Sequence, residues 1–322
     1  MTIIEVPPSR AGAALGIVAM ACVGSSVAVS RTIVDAPLFT LQAVRYALAA
    51  VLLLALATLA RRPLPRPRGR EWLWLVGVAA TGLVLFNLAV VRGVEHAEPA
   101  VIGVAVASVP LVLAVAGPLL AGVRPAPLIV VAAGVVSAGA VLVQGGGRTD
   151  AAGLAWALLV LLTEVAFTLL AVPVLGRLGP WAVSLHTVWI AAIGLAVLGV
   201  GVEGPRAVTR LDAGDLLAAA HLAVVVTALA FVLWYSAVRR LGAGRAGLFT
   251  GVVPVTAAVG GVLLGGPWPA PMVWLGTGVV VAGLVIAFGA RPERAGPRST
   301  PRPASRCAPT PAPTCANGTF EQ

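Results

Sequence analysis

Residues 103–143, GVAVASVPLVLAVAGPLLAGVRPAPLIVVAAGVVSAGAVLV, align without a gap to residues 247–287, GLFTGVVPVTAAVGGVLLGGPWPAPMVWLGTGVVVAGLVIA, at an offset of 144. Pro110 falls on Pro254, Leu119-Leu120 on Leu263-Leu264, and Gly122 on Gly266. Pro125-Ala126-Pro127 meets Pro269-Ala270-Pro271, and Gly134 and Gly139 meet Gly278 and Gly283. In all, 18 of 41 positions are identical. A composition this biased would give roughly five by chance, so the stretch is an internal repeat. Upstream the match weakens but holds its offset, with Leu41 and Val44 on Leu185 and Val188.

The repeat sits in a chain of 322 residues, 59% hydrophobic and 11% charged. Soluble domains carry about a quarter charged residues, so neither a water-soluble globule nor a disordered chain fits. Apolar blocks fall at 11–30, 36–60, 72–91, 98–121, 126–143, 151–175, 180–202, 215–238, 246–265 and 271–290. Each is long enough to cross a hydrocarbon core of about 30 Å. Lipid offers the backbone no hydrogen-bond partner, so each block closes its own bonds as a helix. The expected fold is therefore an all-α polytopic membrane protein with ten transmembrane helices. Five spans per half is an odd number, so equivalent helices cross in opposite directions. The halves form a 5+5 inverted repeat about an axis in the membrane plane. Residues 11–145 make the first half and 150–290 the second. Residues 1–10 form a short N-terminal segment, and the Pro/Arg/Ser/Thr-rich stretch 291–322 reads as a disordered tail.

Charge sets the orientation. All 22 basic residues are arginine. With no lysine there is no Walker-type phosphate loop and no Schiff-base chemistry. Sixteen arginines lie on the side of the termini, five on the other side (Arg31, Arg92, Arg148, Arg206 and Arg210), and Arg45 lies within a span. Asp35, Glu95, Glu98, Asp150, Glu203, Asp212 and Asp215 share the arginine-poor side. The positive-inside rule then places both termini in the cytoplasm. The net charge of +10 thus reads as topology and contact with anionic lipid, with no nucleic-acid partner. Seven of the eight tryptophans lie near predicted interfaces, Trp234 beside Tyr235 in the cytoplasmic belt, and only Trp189 sits deep. Cys22, Cys307 and Cys315 have no metal-ligand spacing, and neither a metal nor a cofactor is expected.

The five-plus-five duplication, the proline in the fourth helix of each half and the Gly-rich fifth helices resemble the drug/metabolite transporter superfamily. The similarity is to its ten-helix members with two EamA-type domains, and it covers about residues 11–290. It implies secondary transport of a small organic solute through a central cavity lined mainly by helices 1, 3, 4, 6, 8 and 9. Many relatives carry a glutamate after the fourth helix of each half. Here Val123 and Pro267 stand at those places, and that acid's role does not transfer.

Charge at membrane depth is expensive and marks candidate sites. Two formally charged residues are deep, Arg45 in the second span and Glu164 in the sixth. Glu164 stands 13 residues into its span, about 20 Å at 1.5 Å per residue, which predicts a position near mid-depth. It is a candidate for coupling a proton or binding a cationic or amino group, against a purely structural carboxyl. Arg45, about nine residues from the outer end of its span, has two readings. It is a structural side chain that pairs with Glu164, meets carbonyls or snorkels outward, or it is a bidentate anchor for a substrate carboxylate. Asn87, Ser108, Thr227 and Thr250 occupy expected cavity helices, as ligands or as interhelical glue. His221 is the better-placed of two histidines, the other being His186, for a titrating role. Pro110 and Pro254 suit hinges or kinks. Gly260-Gly261 and Gly276…Gly283 read as close helix packing rather than phosphate loops.

These readings converge on a secondary transporter, an exporter of amino acids, related metabolites or drug-like compounds, in the bacterial inner membrane. The solute's own gradient or protons would drive it, with lipids as its surroundings. A non-transporting scaffold or lipid-translocating protein is the alternative. An intramembrane enzyme finds no HExxH pair, no G-x-S-x-G elbow and no paired intramembrane aspartates.

Overall fold

The computed structural model describes residues 10–26, 33, 36–263 and 268–289. The N-terminal segment 1–9, the last residues expected in the first span, and the tail with Cys307 and Cys315 lie outside the described residues. Ten helices follow in order: α1 (Arg10–Gly24), α2 (Leu38–Leu59), α3 (Glu71–His96), α4 (Pro99–Leu120), α5 (Pro127–Gln144), α6 (Ala151–Leu169), α7 (Val172–Val202), α8 (Ala213–Leu241), α9 (Ala243–Leu263) and α10 (Pro271–Gly289). Among the described residues, α2 to α10 are long and apolar enough to span a bilayer, and α1 is a shorter apolar helix. Outside the helices, an isolated antiparallel bridge joins Ala97 to Thr149. The chain is a multi-pass helical membrane protein.

Helix ends follow local chemistry. Pro99, Pro127 and Pro271 open α4, α5 and α10, where a missing N–H costs nothing. Asp150 caps α6 by accepting from the Gly153 N–H at 2.7 Å. Asp212 and Asp215 form a reciprocal capping box at the start of α8. At the junction of α6 and α7 the regular ladder of α6 stops at Leu169, but Leu170 and Ala171 keep helical angles and lead into Val172. α7 starts at Val172 but breaks at Gly179, whose φ of +74° suits glycine, so the crossing portion begins at Pro180 as expected.

Packing repeats the internal symmetry. α5 packs on α10 and α2 on α7, each helix against its own counterpart. α1 packs on α8 and α9, while α6, the counterpart of α1, packs on α3 and α4. Glycines set the α5/α10 crossing: a Cβ at Gly276 would lie 2.6 Å from the Gly139 carbonyl oxygen, and one at Gly283 3.1 Å from that of Ala132. A Cβ at Gly260 or Gly261 meets nothing among the described residues. Large apolar side chains such as Val51, Leu73, Val197, Leu217 and Val285 point outward, as a lipid solvent allows.

Both proline-bearing helices are irregular just before their proline. α4 breaks at Ser108, two residues before Pro110, and α9 passes through a 3₁₀ turn at Leu248–Gly251 ahead of Pro254. Each proline lacks the N–H that would continue the ladder, so the preceding turn tightens. A second paired irregularity is a π segment in α3 (Ala79–Leu85) and another in α8 (Leu222–Leu229). They occupy equivalent places at the repeat offset. Wide turns of this kind free carbonyl groups within a helix and recur at functional sites.

Candidate substrate site

The widened turn of α8 exposes the Leu222 carbonyl, which accepts from the Thr227 hydroxyl five residues on, at 2.9 Å. Thr227 in turn accepts from Arg45 Nε of α2 at 2.9 Å. The Arg45 Nη1 donates to Gln42 Oε1 at 3.1 Å, and Gln42 Nε2 donates to Asn87 Oδ1 of α3 at 2.9 Å. Asn87 Nδ2 reaches the Leu83 carbonyl, which lies in the π segment of α3. The guanidinium also sits 4.9 Å above the Tyr46 ring, a cation–π stack. Arg45 is 9% exposed and Thr227 fully buried.

This network joins α2 and α3 of the first half to α8 of the second. It carries one positive charge and neutral acceptors only. A guanidinium has five N–H donors, and two are used here. The other three find no protein partner among the described residues. Arg45 therefore does not pair with Glu164, the first of the structural options open to it.

Glu164 belongs to a second polar locus. Glu164 stands 13 residues into α6, whose helical backbone continues through Leu170 and Ala171 toward the break at Gly179. Three residues on, and on the same face of α6, the Phe167 ring fits against Gly82 of α3, where any Cβ would collide with it. Phe167 also lies 5.1 Å from the Phe231 ring and 5.3 Å from the Tyr235 ring, both on α8. Tyr235 and Trp234 are 0% and 3% exposed, so they are core residues rather than members of an interfacial belt. Thr227, Phe231 and Tyr235 recur every four residues and form a stripe along α8 from the Arg45 network to the Glu164 locus.

The structure thus brings together Arg45, Asn87 and Thr227. His221 sits apart, 3.2 Å from the Ser25 hydroxyl of α1. Ser108 and Thr250 return their hydroxyls to their own helices, at the Val104 and Gly247 carbonyls. His186 accepts from the Trp189 indole at 3.0 Å beside Trp72. Gln42, Tyr46, Phe167 and Phe231 were missed in the sequence. Gln42 is an amide in an apolar span, three residues before Arg45, and that spacing was the available signal.

Ion pairs at the two faces brace the spans. On the acid-rich face Glu203, at the end of α7, accepts from the Phe39 and Thr40 N–H groups at 2.7 and 2.9 Å and from the Thr40 hydroxyl at 2.6 Å. Arg148 pairs with Glu98 at 2.8 Å, and His96 lies 3.3 Å from Asp150. The Gly153 N–H and then His96 hold the Asp150 carboxyl below its ordinary value. On the arginine-rich face Arg177 pairs with Glu71 and donates to the Arg66 carbonyl.

A model of the EamA-like transporter family matches residues 10–144 and again residues 151–289. The chain belongs to the EamA-like transporter family. Each match covers one half of the bundle, so the EamA repeat and the structural repeat coincide. The chain is 27% identical over 280 residues to the uncharacterized transporter YetK of Bacillus subtilis (strain 168), covering 83% of this chain and 84% of YetK. It is 26% identical over 110 residues to the uncharacterized transporter YyaM of the same organism, covering 34% of this chain and 36% of YyaM. A crystal structure with a TM-score of 0.74 and 20% identity, matched over 87% of this chain and 98% of its own, shares the fold.

Proposed function

We propose that this EamA protein exports small organic solutes, amino acids or related metabolites, by alternating access in the bacterial cytoplasmic membrane, with both termini in the cytoplasm. The observation that carries this reading is the Arg45 network. It lies at the junction of the two repeats and holds a buried guanidinium, three of whose N–H groups have no partner among the described residues. A solute carboxylate would accept two of them in parallel. Rocking of one repeat against the other would break and remake the Arg45–Thr227 contact, tying solute binding to the change of access. The kinks before Pro110 and Pro254 supply places for α4 and α9 to bend.

Glu164 lies on the other repeat, near the opposite end of the α8 stripe. Thr227 and Tyr235 are eight residues apart, about 12 Å along the helix. An α-amino acid is shorter than that, so it would engage the two loci in turn. The driving force is the solute's own gradient, or protons taken up at Glu164.

Counterflow in proteoliposomes tests the reading: labelled amino acids should exchange across the sealed bilayer only when the protein is present. Absence of exchange with the full set of amino acids would overturn it. Labelling of engineered cysteines should also place the 61–70 and 203–214 connections in opposite compartments.

A further inference from the structure

We propose that Glu164, Tyr235 and the rings of Phe167 and Phe231 form a binding site for the ammonium group of an organic amine. The site deepens the transporter reading and rests on it for its role in transport, but its binding step stands alone. Glu164 and Phe167 share one face of α6, and the Phe167 ring meets both Phe231 and Tyr235 of α8.

Two independent observations point to a ligand there. First, no arginine or histidine pairs with Glu164 among the described residues. Arg45, the other charge at depth, is held by Thr227 and Gln42. Second, the Tyr235 hydroxyl is fully buried and has no hydrogen-bond partner among the described residues. Buried hydroxyls are nearly always satisfied, so its lone pairs are available to an incoming donor.

The chemistry selects among candidate ligands. A protonated amine supplies a charge for the carboxylate, an N–H for the phenol oxygen and a cationic group for the ring faces. A proton alone would neutralise the carboxyl and leave the phenol unserved. A bare metal cation would want six or more oxygens, and this locus offers a carboxylate and one phenol. The aromatic walls also favour an apolar substituent on the amine.

The test uses the full chain in lipid nanodiscs, with labelled 2-phenylethylamine as the probe, followed by counterflow in proteoliposomes. The wild type should bind the amine, and Glu164→Gln should weaken binding by about 30-fold or more, as expected for loss of a desolvated cation's partner. Tyr235→Phe, which keeps the ring, should weaken it by about fivefold, the size of one hydrogen bond. Glu164→Asp keeps the charge and should bind measurably, which guards against a Gln variant that fails to fold. No binding by the wild type, or Glu164→Gln binding as the wild type does, overturns the site. Amino-acid counterflow without amine binding sinks this site and leaves the transporter reading standing. Amine binding without counterflow of any solute supports the site and sinks the transporter reading.

Discussion

Replacing Arg45 with methionine separates a binding role from a structural one, because the two act on stability and transport differently. The variant loses two hydrogen bonds from a charged donor, to Thr227 and Gln42. Such bonds contribute roughly 1.5–3 kcal/mol each. The stack over Tyr46 adds about 1 kcal/mol. Against this, removing a charge from a span recovers about 2.5–3.5 kcal/mol on insertion scales. Thr227 keeps its bond to the Leu222 carbonyl, so it is not orphaned. The net loss of stability is about 2 kcal/mol, tolerable for a domain whose total is about 5–15 kcal/mol. Transport should fall much further. A carboxylate held bidentately by the free N–H groups loses two charge-assisted bonds, two to four decades of affinity at about 1.4 kcal/mol per decade. The assay is amino-acid counterflow per mole of folded protein, with unfolding in detergent measured on the same sample. A variant that transports within twofold of the wild type would refute the anchoring role. A variant that does not fold at all would refute the estimate of its stability.

Three further outcomes follow from the geometry. Glu203→Ala leaves two N–H groups at the start of α2 and the Thr40 hydroxyl without their acceptor, and should lower the stability measured in detergent by about 1–2 kcal/mol, a loss typical of a helix cap; an unchanged unfolding midpoint would count against this clamp. Gly276→Val drives a side chain into the Gly139 backbone and should destabilise by about 1–3 kcal/mol, whereas Gly260→Ala meets nothing among the described residues and should be neutral or stabilising by up to about 1 kcal/mol; equal midpoints for the two variants would contradict the packing. The Asp150 carboxyl titrates below its ordinary value because the folded state binds its charged form, through Gly153 first and His96 after it. Its contribution is therefore present above the unfolded pKa and lost as pH falls through the folded one. The protection factor of the Gly153 amide, taken against its intrinsic exchange rate, should fall on acidification in the wild type and lose that dependence in Asp150→Ala, and a pH-independent protection factor in the wild type would reject the cap.

The spans were legible because lipid leaves a backbone no partner but itself, so a run of apolar residues of sufficient length is already a helix. The repeat at 103–143 and 247–287 gave the relative orientation of the halves, since equivalent segments of an odd-numbered half must run in opposite directions. Arg45 and Glu164 stood out for the same reason, as charges where charge is costly. What the sequence left open was whom they meet. Arg45 and Thr227 are 182 residues apart and belong to different repeats, and no periodicity encodes that distance. The paired π segments were equally silent, since a single wide turn leaves no trace in hydropathy, yet one of them presents the carbonyl that orients Thr227. Tyr235 and Trp234 turned inward because α8 packs on its neighbours at that depth, whereas composition alone placed them at the membrane surface. Solvent determines which segments cross and in which direction, and one chain is enough to read it. The partners of a buried polar group depend on which helix faces are brought together, and only the packed bundle decides that.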